Sequence, residues 1–328
     1  MRICNIDSST HGTIIESLPA RLFAEESIVE APAKINVRLK VLGRRSDGYH
    51  LLSMLNVSVS LYDSLRVRLT REAGVLVALD PADVLDVASK DNLVARAFNT
   101  FWSELGFDSA PIGLSVHLTK RIPIGAGLGG GSSDAGAVFR FLEQEVGPGL
   151  QTIAGIDPES LRGIVMRAAS KVGADVPYAY QGGACWVTGV GDVVASLTSG
   201  VEWPGEVLIV VPPAAVSTLA FYNFYRKRVP HIVNVSDEAM EHFAALGGAS
   251  LPPDLIENDF ESAVSVLCPE VGRALEVARA FFPATTSLTG SGAAIFSLVP
   301  PGDEGQVEEF CSEISSENMT VHRVRIVG

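Results

Sequence analysis

Hydrophobic and polar residues alternate strictly from Lys34 to Val41. Ile35, Val37, Leu39 and Val41 share one parity, and Lys34, Asn36, Arg38 and Lys40 share the other. A period of two predicts a strand with one buried and one polar face, and it puts Lys34 and Asn36 on the same side. The strand is expected to stop at Gly43, with Arg44 to His50 as a turn. Alternation resumes at Leu55, Val57, Val59 and Leu61, and again at Leu65, Val67 and Leu69. These runs predict a second and a third strand. Gly74 sets off Val75 to Leu79, and Leu114, Val116 and Leu118 predict a further strand.

Elsewhere the spacing becomes helical. Leu93, Val94, Ala97, Phe98, Phe101 and Leu105 form one stripe, and Ala135, Val138, Phe139, Leu142 and Val146 another. Pro158 to Val172 reads as a helix with Asp157 as N-cap, Pro158 at the first position and Gly173 just past the end. Beyond Gly183 come short strands, including Val207 to Val211, with helices expected at Asp237–Leu246, Asp259–Leu267 and Val271–Phe282. A strand, a helix and a strand close the chain at 294–299, 306–314 and 321–326. Strands precede helices in each half and hairpins mix with helices. The expectation is α+β, a two-layer α/β arrangement in two domains, 1–187 and 188–328, with residues 1–30 as an extra N-terminal arm, either flexible or reflecting an upstream start.

Composition changes this picture little. The chain has 328 residues, 47% hydrophobic and 19% charged, which is ordinary for a globular protein. Its formal net charge of −13 repels polyanions, so neither nucleic acid nor an anionic membrane is an expected partner, while a small anionic substrate remains compatible with a local basic site. Cys4, Cys185, Cys268 and Cys311 are scattered, with no zinc spacing. They are expected to be reduced thiols of a cytoplasmic protein, and no metal site built from side chains is expected. No apolar run has the length of a membrane span, and the first 30 residues lack the apolar core of a signal peptide.

The densest chemical signal is the segment Pro123, Ile124, Gly125, Ala126, Gly127, Leu128, Gly129, Gly130, Gly131, Ser132 and Ser133. Glycines leave backbone N–H groups accessible, and the serines stand where a helix begins. Both features suit a phosphate chain. A dinucleotide fold would need an acidic residue about 20 positions on, at a strand end, but that distance falls near Pro148–Gly149. A P-loop would need lysine at Gly131. A plain surface loop leaves the two serines opening an amphipathic helix without a reason. Asp134 complicates the picture. In the first helical turn its carboxylate would repel phosphates, so it is expected to point away or to act through a metal.

With the other blocks added, Pro123 to Ser133 resembles the phosphate loop of the GHMP kinases. Ala31-Pro-Ala-Lys-Ile-Asn36, Gly43-Arg-Arg-Ser-Asp-Gly-Tyr-His50, Gly173-Ala-Asp-Val-Pro177 and Leu288-Thr-Gly-Ser-Gly-Ala-Ala294 follow in an order that resembles the 4-diphosphocytidyl-2-C-methyl-D-erythritol kinases. The resemblance implies the GHMP architecture, with an active site in the cleft between two domains. It also implies transfer of the ATP γ-phosphate to the 2-hydroxyl of that alcohol, with magnesium bridging the phosphates. Asp175 would take the hydroxyl proton, with Lys34 beside it. A nearby ammonium keeps a carboxylate ionised and weakens it as a base, which a loose transition state tolerates. Tyr49 would stack on cytosine and His50 would read its edge, with Phe224 as a less secure second wall. Asn36, Thr289 and Gly290 would contact the substrate, and Asn92 and Lys120 would line the nucleotide pocket. Two positions depart from the resemblance: Asn56 stands where an aromatic is usual, and Arg38 where an apolar residue is usual. A GHMP kinase for another alcohol, or a nucleotide-binding sensor without catalysis, remains an alternative. A monomer or a homodimer is expected.

Overall fold

The first strand outruns its alternating stretch. In the computed structural model, which describes residues 10–80, 92–197, 201–214, 216, 238–246 and 248–328, β1 covers Ser27–Arg44. The strands that follow are β2 (His50–Thr70), β3 (Gly74–Asp80), β4 (Gly113–Thr119), β5 (Cys185–Thr188), β6 (Val193–Ser196), β7 (Val207–Val211), β8 (Glu257–Asn258), β9 (Thr286–Leu288), β10 (Ile295–Leu298), β11 (Thr320–Val324) and β12 (Ile326–Val327). The α-helices are α1 (Thr10–Ser17), α2 (Arg21–Ala24), α3 (Leu93–Glu104), α4 (Gly130–Phe141), α5 (Gly147–Ala154), α6 (Pro158–Val172), α7 (Val176–Gln181), α8 (Glu238–Ala245), α9 (Glu261–Leu267), α10 (Pro269–Phe281) and α11 (Val307–Ser316).

The expected second and third strands are one strand, the 21-residue β2. Leu55, Val57, Val59, Leu61, Leu65, Val67 and Leu69 share one parity, and Asp63 occupies the missing place among them. A charged residue on the apolar parity hid the continuity. The structure satisfies that residue and so keeps the strand intact: the Asp63 Oδ1 accepts from the backbone N–H groups of Arg121 (2.6 Å) and Ile122 (2.9 Å).

The chain forms two compact units that interleave along the sequence. The first comprises Met1–Pro32, Tyr62–Ile122 and Gly130–Gln181; the second comprises Ala33–Leu61, Pro123–Gly129 and Gly182–Gly328. The boundary expected at Val187 lies inside β5, in the second unit.

In the first unit, β4 pairs antiparallel with Ser64–Thr70 of β2 and parallel with β3. Leu65, Val67 and Leu69 are buried while Arg66 and Arg68 are exposed, so one sheet face carries the core. Phe98, Phe101 and Trp102 of α3, Val138 and Phe139 of α4, and Ile164 and Val165 of α6 belong to that core. Trp102 meets the edges of Phe101 and Phe107 at centroid distances of 5.3 and 5.4 Å. Part of the expected N-terminal arm belongs here too. Ile14, Leu18 and Leu22 are buried in the same core, and Arg21 pairs with Glu145 at 2.6 Å. Residues 10–24 are therefore an ordered cover rather than a flexible arm.

In the second unit, Met54–Asn56 of β2 pairs with β5, Ser58–Val59 pairs with β12, and β8 lies parallel to β1 at Arg38–Leu39. A separate antiparallel sheet runs in the order β11-β7-β10-β9, with α10 and α11 packed on it. Here the alternation predicted for β1 is misleading, because Ala33 to Leu39 are buried without a break. The polar parity from Lys34 to Arg38 is thus inside: Lys34 pairs with Asn36, Asn36 with Asn56 of β2, and Arg38 with Glu257 of β8. Among the described residues, no helix is long and apolar enough to cross a membrane, and Cys185, Cys268 and Cys311 are free thiols.

Candidate active site

Lys34 and Asn36 stand two residues apart on β1, so the pleat turns them the same way. The Lys34 Nζ donates to the Asn36 Oδ1 at 2.5 Å, and the Asn36 Nδ2 donates to the Asn56 Oδ1 at 2.6 Å. The Met54 Sδ lies 3.5 Å from the same Nδ2. Asn36 also donates its backbone N–H to the Thr289 Oγ1 at 3.0 Å. Lys34, Asn36, Asn56 and Thr289 are all buried, at 6%, 1%, 1% and 0% exposure. Such groups are costly to bury unless paired, and that cost fixes their geometry.

The glycine loop closes over this cluster within the same unit. Gly125, Gly127 and Gly129 have φ of +70°, +81° and +72°, where only glycine is unstrained. Leu128 accepts from the Lys34 N–H at 3.0 Å, and Ala126 accepts from the Ala294 N–H at 3.0 Å. The loop is therefore pinned on both sides, to β1 and to the Leu288–Ala294 segment. A Cβ on Gly127 would lie 2.4 Å from the Thr289 carbonyl oxygen, and one on Gly129 would lie 3.0 Å from the Lys34 Cγ. A Cβ on Gly290 (φ +59°) would lie 3.1 Å from the Gly127 carbonyl oxygen, a looser approach than that of Gly127 to Thr289. Asn258, which nothing in the sequence singled out, holds this segment: its Nδ2 donates to the carbonyls of Leu288 and Gly290, both at 2.9 Å.

Tyr49 and His50 complete the predicted residues of this unit. Gly48 (φ +93°) turns the chain, and the Arg45 N–H donates to the Tyr49 carbonyl at 2.7 Å. The turn leaves the Tyr49 ring 65% exposed while His50 is buried at the start of β2. Phe224 lies outside the described residues.

In the first unit, the loop continues into α4 at Gly130. The Ser133 Oγ donates to the Pro32 carbonyl at 2.6 Å, whereas Ser132 is half-buried. Asn92 caps α3, accepting from the Val94 N–H at 2.9 Å. A Cβ on Gly131 would sit 3.4 Å from Leu93, so the starts of α3 and α4 are adjacent. Asp175 occupies the N-cap position of α7, its carbonyl accepting from Ala179 at 2.9 Å.

Lys120 is not a surface lysine. Its side chain is 5% exposed, and its ammonium lies between Asp63 and Asp134, 2.7 Å from the Asp134 Oδ2. Asp134 is buried, and its carboxylate is directed onto Lys120. Burial pushes its carboxyl up to about 7; Lys120 pulls it down, and the charge of Asp63 adds to the rise. For Lys120, burial acts to lower the pKa, but the two carboxylates outweigh it and the ammonium titrates above its usual value. Like Asn258, Asp63 is a residue that sequence reasoning missed; its place on the apolar parity of β2 was the signal for it.

These groups make a buried lysine–amide cluster under a glycine-rich loop pinned on both sides. Residues 92–183 match the GHMP kinases N terminal domain. The chain is 33% identical over 290 residues to 4-diphosphocytidyl-2-C-methyl-D-erythritol kinase of Desulfotalea psychrophila, covering 88% of this chain and 90% of that one. The chain belongs to the 4-diphosphocytidyl-2-C-methyl-D-erythritol kinase family. A crystal structure of a 4-(cytidine 5'-diphospho)-2C-methyl-D-erythritol kinase superposes with a TM-score of 0.65 at 27% identity, covering 91% of this chain and 99% of that one. Homoserine kinase from Cytophaga hutchinsonii shares the fold, with a TM-score of 0.64 at 20% identity over 92% of this chain and 95% of that one. The fold is thus that of the GHMP kinases, with two sheets and mixed α/β layers, and members of this family are ATP-dependent small-molecule kinases.

Proposed function

We propose that the chain transfers the γ-phosphoryl group of ATP to the 2-hydroxyl of 4-diphosphocytidyl-2-C-methyl-D-erythritol, a step of non-mevalonate isoprenoid precursor synthesis carried out in the cytoplasm. The observation that carries the reading is the buried Lys34–Asn36 pair beneath the glycine loop. Phosphoryl transfer needs positioning and charge stabilisation more than covalent help. A fixed ammonium supplies the charge, and N–H groups of the loop from Pro123 to Ser133 supply positioning for the phosphates.

The remaining roles are those the family resemblance implies, and the chemistry of each residue suits its role. Asp175 accepts the proton of the attacking hydroxyl. Asn36, Thr289 and Gly290 hold the alcohol. Tyr49, with its ring in solvent, stacks on cytosine; His50 hydrogen-bonds the base edge, and Phe224 supplies a second wall. Asn92 keeps an amide N–H2 after its oxygen caps α3, and Lys120 keeps one of three N–H donors, so both can serve adenine. No group of three or more His, Cys, Asp or Glu side chains able to hold a metal occurs among the described residues. Magnesium fits here as an ion carried by the nucleotide phosphates, where it neutralises their charge. Ser132 and Ser133 both keep oxygen lone pairs to offer the ion, the Ser133 hydroxyl having turned only its proton to the Pro32 carbonyl.

Asp175→Asn and Lys34→Met test the two catalytic roles. Each is expected to lower kcat about a hundredfold or more, with the Kd for ATP changed only a few-fold. Near-normal turnover in Asp175→Asn removes Asp175 as the base.

A further inference from the structure

The direction of each amide in the buried cluster follows from donor counting alone. An ammonium only donates, so Asn36 must turn its Oδ1 to Lys34. Its Nδ2 then faces Asn56, which must answer with its own Oδ1. The Asn56 Nδ2 is therefore turned outward from the pair. It is buried in a residue 1% exposed, and among the described residues no acceptor reaches it. Buried amide N–H groups without a partner carry their full desolvation cost, so this one is poised for an acceptor that the described residues do not provide.

The position of Asn56 says which acceptor. Lys34 packs against Gly129 of the phosphate loop and bonds the oxygen end of the Asn36 amide. Asn56 bonds the nitrogen end of that amide, one step further from the loop along the Lys34–Asn36–Asn56 chain. On the proposed function, Lys34 marks the phosphate side of the reaction and the direction beyond Asn36 the body of the alcohol.

We propose that Asn56 is a specificity-determining residue of this enzyme, whose Nδ2 donates a hydrogen bond to a hydroxyl oxygen of the bound alcohol beside the one that is phosphorylated. The inference rests on the proposed function. It gives this chain a substrate contact that a phenyl ring at the position could not make, because a phenyl ring carries no hydrogen-bond donor.

The test uses the full chain with Asn56→Leu and Asn56→Asp, and with analogues of the diphosphocytidyl alcohol lacking one non-reacting hydroxyl each. Asn56→Leu is expected to raise KM for the alcohol about tenfold while KM for ATP stays within about twofold. One deoxy analogue should lose a similar factor on the wild type and nothing further on Asn56→Leu. Asn56→Asp keeps the acceptor for Asn36 and replaces the donor, so it should lose affinity for the alcohol in the same way. If KM for the alcohol is unchanged in a folded Asn56 variant, or if every deoxy analogue loses equally on wild type and variant, the contact is absent and the proposal fails. Should neither variant fold, the wild type alone decides, since the proposal fails if no deoxy analogue binds more weakly. Absence of ADP release by the wild type with the diphosphocytidyl alcohol would overturn the kinase reading and this inference together. Normal release with unaltered KM in the variants overturns the inference alone.

Discussion

Lys120 holds two buried carboxylates at once, and this charged triad joins the end of β4, the middle of β2 and the first turns of α4. Removing one member of a buried charge cluster typically costs about 3–5 kcal/mol, because the others are left uncompensated. The triad also sets a pH dependence. The ordinary carboxyl value for Asp134 is 3.8 and the folded value is about 7, raised chiefly by burial. Between these values the folded chain keeps a proton that the unfolded chain has released. The contribution of Asp134 to stability is therefore full at low pH and is lost as pH rises through about 7. Asp134→Asn, which cannot titrate, should show a smaller fall in Tm between pH 5 and pH 8 than the wild type, as measured by calorimetry in matched buffers. A larger fall would reverse the assigned sign. Sequence reasoning assigned Lys120 and Asp134 to the nucleotide region but could not join them, because Asp63 interrupts the alternating run that would have placed it.

At the scale of elements, the loop and its partners show why glycine content is informative only with geometry. Gly125 and Gly127 both have positive φ, but a Cβ on Gly125 meets nothing within 4 Å while one on Gly127 would lie 2.4 Å from the Thr289 carbonyl. Gly125→Ala should therefore cost only the left-handed backbone strain, about 1–2 kcal/mol. Gly127→Ala must in addition push the loop off the Leu288–Ala294 segment. Its Kd for ATP by titration calorimetry should rise at least about tenfold more than that of Gly125→Ala; equal effects would mean that the Gly127–Thr289 contact does not hold the loop. The sequence indicated a cradle here because two serines open a helix. It could not indicate that Thr289, more than 150 residues downstream, forms its floor, since that contact comes from tertiary packing. Helix ends were more legible. Asp157, Pro158 and Asn92 act locally, and the structure places their helices as expected, with side-chain caps at 2.9 Å for both Asp157 and Asn92.

Over the whole molecule, the order of motifs from Ala31 to Ala294 was legible, and with it the kinase fold, because short blocks of special chemistry do not depend on burial. That the polar parity of β1 is buried was not legible, for the opposite reason. Alternation reports one sheet face as polar but cannot say whether loops and other strands will cover it, and here Lys34, Asn36 and Arg38 are all buried. Residues 10–24 escaped for lack of a motif; their buried Ile14, Leu18 and Leu22 show only as an amphipathic stripe. The central claim remains the reaction itself. It is tested most directly by 31P NMR of the product formed from ATP and 4-diphosphocytidyl-2-C-methyl-D-erythritol, with ADP release followed in the same sample. The account predicts one ADP per alcohol consumed and a new phosphomonoester resonance coupled to the 2-position carbon. No ADP release, or a phosphomonoester at another hydroxyl, would contradict it.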